Sequence, residues 1–141
     1  MRSRTFVMLA AAGLLAAGAA EAATEKFATT LSGGQEVPAN TTTGKGSVEA
    51  TLDTATKAFS YEITFSGLTG PAVAAHFHGP ADPGANAPPM VAMSTPTSPI
   101  KGTATLTDKQ IADLEAGKWY FNVHTMAHPG GEIRGQVKAV K

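Results

Sequence analysis

The chain has 141 residues, 43% of them hydrophobic and 16% charged, which suits one domain able to bury its own core. Its 11 basic residues balance 11 acidic ones, so net charge gives no footprint for nucleic acid or anionic lipid. With no cysteine, a disulfide scaffold, a thiolate metal site and cysteine nucleophile chemistry are excluded, and 15 glycines and 9 prolines against 6% aromatics favour short strands and turns over long helices.

Arg2 and Arg4 form a basic start, Phe6 to Ala20 is an uncharged run of mostly Ala, Leu and Gly, and Ala20-Glu21-Ala22 has the small-x-small pattern of a signal-peptidase site. The run is shorter than the roughly 20 apolar residues of a membrane span. Residues 1–22 are therefore expected to be a signal peptide. Residues 23–141 would form one exported domain, periplasmic or secreted, close to neutral and without a membrane span.

Period-two alternation, the mark of half-buried strands, recurs along this domain. Val48, Ala50 and Leu52 alternate with Ser47, Glu49 and Thr51. Phe59, Tyr61, Ile63 and Phe65 alternate with Ser60, Glu62 and Thr64, the clearest case. Trp119, Phe121 and Val123 alternate with polar neighbours, as do Ile133, Gly135 and Val137. Weaker strands are expected at Phe27–Leu31, Val73–His78 and Ile100–Leu106. Thr107 or Asp108 can cap one short helix, with Ile111 and Leu114 on its apolar side and Gly117 at its end. Gly79–Pro99, with Pro80, Pro83, Pro88, Pro89, Pro96 and Pro99, reads as a long loop. The sum is an all-β domain, a Greek-key antiparallel β-sandwich or barrel with one short helix.

All four histidines fall in two motifs, Ala75-His76-Phe77-His78-Gly79-Pro80 and Asn122-Val123-His124-Thr125-Met126-Ala127-His128-Pro129-Gly130-Gly131. Residues i and i+2 of a strand share a face, so His76 and His78 project side by side while Val73, Ala75 and Phe77 point to the core. His124 takes the outer face of its strand, and His128 sits in the turn beyond it. If the two strands are neighbours, His76, His78, His124 and His128 converge as a metal site outside the sheet. Imidazole without thiolate favours Cu(II) or zinc. Met126, Met90 and Met93 could add thioethers that suit Cu(I), so copper is preferred over zinc. Alternatively, Met90 and Met93 fill gaps in ordinary packing. Asp82 could orient a ligand histidine, although an Asp before Pro is commonly a turn residue. No nucleophile–base pair and no Gly-rich phosphate loop between strand and helix is present.

Three blocks, Leu31-Ser32-Gly33-Gly34-Gln35-Glu36-Val37-Pro38, Ala75-His76-Phe77-His78-Gly79-Pro80 and Gly130-Gly131-Glu132-Ile133-Arg134-Gly135-Gln136-Val137, resemble the CHRD domain named after chordin. The likeness runs from about Phe27 to Val137 and implies little chemistry by itself. A looser similarity is to copper-zinc superoxide dismutases, Greek-key barrels that hold copper with a His-x-His strand pair and further histidines. That likeness implies copper ligation by His76, His78, His124 and His128. It also gives Arg134, on the outer face of the last strand, the role of attracting the superoxide anion. The chain lacks histidines for an adjacent zinc, the usual cysteine pair and an electrostatic loop, so only a copper-only form fits.

The expected function is that of an exported copper protein acting on superoxide as a copper-only dismutase. A copper carrier or sequestering protein with the same ligands is the alternative, and a structural or adhesive CHRD module the third. Arg134 also has a plain reading, an outward charge paired with Glu132 or Glu62.

Overall fold

The computed structural model describes residues 23–141, and the expected signal peptide over residues 1–22 lies outside the described residues. Three long strands, β1 (Thr24–Ser32), β2 (Lys45–Asp53) and β3 (Ala58–Ser66), form an antiparallel meander. The β2–β3 turn is closed by the Asp53 carboxylate, which accepts from the amides of Ala55 at 2.9 Å and Thr56 at 3.0 Å. These local bonds explain why an Asp-Thr-Ala-Thr run reverses the chain. After β3 come β4 (Ala72–His78), β5 (Pro89–Ala92) and β6 (Ile100–Thr105). Helix α1 (Asp108–Glu115) leads to β7 (Tyr120–Thr125), β8 (Ile133–Gln136) and the two-residue β9 (Lys138–Ala139).

The strand order is β5-β4-β7-β8-β1-β2-β3-β6, with β9 beside β1, and it makes a nearly closed antiparallel barrel. The chain crosses between halves after β3 and again after β6, so β4 and β7 become neighbours although α1 and two strands separate them in sequence. Helix α1 begins where expected. The Thr107 hydroxyl accepts from the Gln110 amide and the Gln110 side chain returns the bond to the Thr107 amide, a reciprocal N-terminal cap. Gly117, at φ +74°, ends it.

The inward residues of the alternating strands make one core. Phe59, Phe77, Trp119 and Phe121 meet at its centre, with Phe59 and Phe77 rings 5.3 Å apart and Phe77 and Phe121 rings 4.8 Å apart, both edge-on. Such pairs contribute about 0.5–1.5 kcal/mol each beyond their buried area. Phe77 lies between His76 and His78 in sequence, so its burial fixes which way both imidazoles point.

Two local expectations differ. Val73 is half exposed instead of core-facing, because the β4–β7 register shifts between Ala72 and Ala74. The Gly79–Pro99 stretch is interrupted by β5, a short edge strand whose single proline, Pro89, is its first residue. Fully buried Glu132 ties loops to the end of β7. Its carboxylate accepts from the hydroxyls of Thr42 and Thr125, both at 2.8 Å, from the Thr69 amide at 3.0 Å and from the Thr69 hydroxyl. Burial pushes this carboxyl up, but the donors outweigh it and hold its pKa below the usual value.

Candidate metal centre

The β4–β7 register sets His76 opposite Asn122, His78 opposite Tyr120 and Ala74 opposite His124. Directly paired residues share a face, so the three histidines, Tyr120 and Asn122 all stand on the face away from the core. The row continues onto β8, where Arg134 pairs with Asn122 and Gln136 with Tyr120.

On this face His76, His78 and His124 converge, each offering a ring nitrogen within 4.8 Å of the others. Nδ1 of His76 lies 3.3 Å from Nε2 of His124. Two nitrogens each about 2.05 Å from a tetrahedral ion would stand roughly 3.3 Å apart, so the pair is spaced as ligands would be. Nδ1 of His124 faces the Pro129 carbonyl at 2.9 Å, and Nδ1 of His78 faces the Ala87 carbonyl at 2.9 Å. A ring nitrogen can only donate to a carbonyl, so the His124 contact favours the tautomer that leaves Nε2 as the lone-pair donor, whereas His78 also has Asn122 Oδ1 2.9 Å from its Nε2. Backbone acceptors commonly orient metal-binding histidines in this way. The His78 ring also lies flat on Tyr120, centroids 4.6 Å apart and planes 6° from parallel.

Burial lowers the His76 pKa below 6.5, and the nearby rings of His124 and His78 add to the effect. Burial lowers that of His78 as well, against the opposing hydrogen bonds to Ala87 and Asn122. Both rings are therefore neutral, and so fit to ligate, at pH 7.

His128 does not join the three. Main-chain bonds between Thr125 and His128, in both directions, close a turn after β7. The imidazole lines a separate shallow cleft with Pro38, Asn40 and Gly131.

Arg134 is on the outward face as expected, but it is only 2% exposed. Residues 79–88 run over it as a strap. Nη1 donates to Asn86 Oδ1 at 2.9 Å, Nη2 donates to the Ala85 carbonyl at 2.6 Å, and the guanidinium lies 3.5 Å from the Tyr120 ring centroid. It pairs with neither Glu132, held by threonines, nor Glu62, which sits 3.9 Å from Lys101. Asp82 faces Lys118 at 2.7 Å. Met93 packs in the core and Met90 against it, as plain gap-filling would have them, whereas Met126 is 83% exposed.

Sequence reasoning passed over Glu36, Asn122, Tyr120 and Gln136, which are all buried around the histidines. Strand parity could have flagged Tyr120 and Asn122, since both alternate in step with His124. Glu36 could not be found that way, because it belongs to a loop. Burial pushes its carboxyl up to about 7, against the hydrogen bond from Asn122 and the charge of Arg134. Gly131, at φ +127°, is the residue that makes room: a Cβ there would collide with both Glu36 and Asn122.

Among the described residues no helix is long and apolar enough to cross a membrane. Comparison with curated proteins and with solved structures finds no match, so the likeness to superoxide dismutases gains no support there. A protein-family model does match, and it covers residues 27–137, taking in most of β1, all of β2 to β8, the three converging histidines and the strap. With that match, the three sequence blocks and the barrel in agreement, the chain belongs to the CHRD domain family.

Proposed function

We propose that this CHRD domain is a copper-binding protein whose ligands are His76, His78 and His124. The observation that carries the reading is the pair of Nδ1 atoms, on His78 and His124, each turned to a backbone carbonyl at 2.9 Å. Ordinary surface histidines have no need of such orientation, and ligands do. An all-imidazole set suits Cu(II) and, less well, zinc. His128 stands apart in its own turn, so three imidazole nitrogens are the site this chain offers.

Copper, when bound, supplies one-electron chemistry, and that is the whole of what dismutation of superoxide requires from a cofactor. The chain's own part would be to hold the nitrogens, keep the rings neutral and leave one side of the ion open. Attraction of the anion by Arg134 would require its charge to face solvent. The guanidinium is bonded under the strap instead, which favours carriage or sequestration of copper over dismutation. Export, expected from residues 1–22, would suit either role.

The test is titration of the purified protein with Cu(II), followed by superoxide decay against free-copper controls. One equivalent of copper is expected, lost in His76→Ala, His78→Ala and His124→Ala and kept in His128→Ala. Absence of binding overturns the proposal. Stoichiometric copper with no activity above the controls leaves the carrier reading, and copper-dependent decay restores the dismutase.

A further inference from the structure

The three histidines are not equally free to take an ion. Nε2 of His124 faces only His76. Nε2 of His78 lies 2.9 Å from Oδ1 of Asn122, a hydrogen-bond acceptor, while its Nδ1 lies against a second acceptor, the Ala87 carbonyl. A neutral imidazole has one N–H and one lone pair, so it cannot satisfy both contacts. The other end of the Asn122 amide borders the Glu36 carboxyl beside Gly131. Asn122 is 3% exposed in the middle of β7 and has no room to swing away unaided.

We propose that Asn122 is a positioning residue that competes with the metal for His78: its amide oxygen holds a proton on Nε2 and so keeps this histidine out of the ligand set until an ion displaces it. The proposal rests on the metal-centre reading. An ion would meet His76 and His124 first. His78 joins when the N–H···O bond to Asn122 breaks, Nε2 gives its proton to solvent while Nδ1 takes one up and donates it to the Ala87 carbonyl, and the metal–nitrogen bond forms at the freed Nε2. The ring need not travel, because Tyr120 already stacks flat on it and the Ala87 carbonyl stands ready to accept from Nδ1 once that nitrogen carries the proton. The centre would therefore discriminate by strength of ligation. An ion that binds imidazole strongly can displace the amide, and one that binds weakly stays on two histidines.

Asn122→Leu keeps the side chain's approximate size and removes the competing oxygen. Because a net hydrogen bond contributes about 0.5–1.5 kcal/mol, the variant should bind Cu(II) about three- to tenfold more tightly than wild type. Nitrogen NMR of the metal-free ring separates this from a structural effect. Wild type should show the proton on Nε2 of His78, and Asn122→Leu should show it on Nδ1. Unchanged or weaker copper binding in a folded variant overturns the role of Asn122. Should the variant not fold, the wild-type spectrum decides alone, and a bare Nε2 overturns the proposal. Failure of wild type and variant alike to bind Cu(II) overturns the metal centre itself, a result distinct from copper binding that ignores Asn122.

Discussion

On the β1–β2–β3 half of the barrel the outward row Thr30, Ser47 and Thr64 meets solvent, with Ser47 and Thr64 hydroxyls 3.1 Å apart and nothing laid over them. On the β4–β7–β8 half the equivalent row, His78, Tyr120 and Gln136, is roofed by the strap. Both rows are polar, and alternation alone predicts the same exposure for each. On the covered half most polar groups find partners inside the protein, Gln136 Oε1 being one that does not. Thus Gln136 donates to the Ala81 and Gly117 carbonyls, both at 2.8 Å, and Arg134 and His78 hold further points of the strap. On the open half water serves equally well, and the side chains are interchangeable.

This difference can be broken experimentally, most severely at Arg134. Arg134→Ala should lose about 2–3 kcal/mol by urea unfolding, since Asn86 and the Ala85 carbonyl lose a charged donor that is itself buried and packed on Tyr120. A loss as small as that of a surface substitution would mean that the strap is not sealed.

Glu36 gives a subtler test. With its pKa raised from 4.5 to about 7, the native state holds a proton that the unfolded chain releases. The stability this contributes is fully present below about pH 4.5 and lost as pH rises through 7. Glu36→Gln should therefore be more stable than wild type above pH 7, with the gain fading below pH 5, as thermal melts across that range would record. His76 and His78 act in the opposite sense. Their lowered pKa values make the native state lose stability as pH falls below 6.5, so the variant is needed to separate the two slopes.

The smallest effect belongs to the open half. Thr64→Ala should change unfolding free energy by no more than about 0.5 kcal/mol. A larger loss in the same urea experiment would show that the Ser47–Thr64 row is itself structural, and the contrast between the faces would fail.

The strands were legible because apolar spacing records which side of a strand is buried: Phe59, Tyr61, Ile63 and Phe65 mark β3 directly. The convergence of His76, His78 and His124 was legible too, once β4 and β7 were taken as neighbours. Burial produced by a loop left no such trace. Ala81, Ala85 and Ala87 cover Arg134 and His78 with main chain, and main-chain carbonyls are the same whatever side chains accompany them. Glu36 reaches Asn122 through a glycine whose need for left-handed backbone cannot be told from that of any turn glycine. The separate place of His128 follows from the turn at Thr125, where spacing alone allowed convergence.

The strap's attachment has one more consequence. The sheet grips it through the carbonyls of Ala81, Ala85 and Ala87, and the Asn86 amide is the one strap side chain that Arg134 meets. The outer surface of residues 79–88 is thus free to drift, lengthen or be grafted with another recognition sequence while the histidines beneath keep their places. Family members could in this way present very different faces to their surroundings over the same chemical centre.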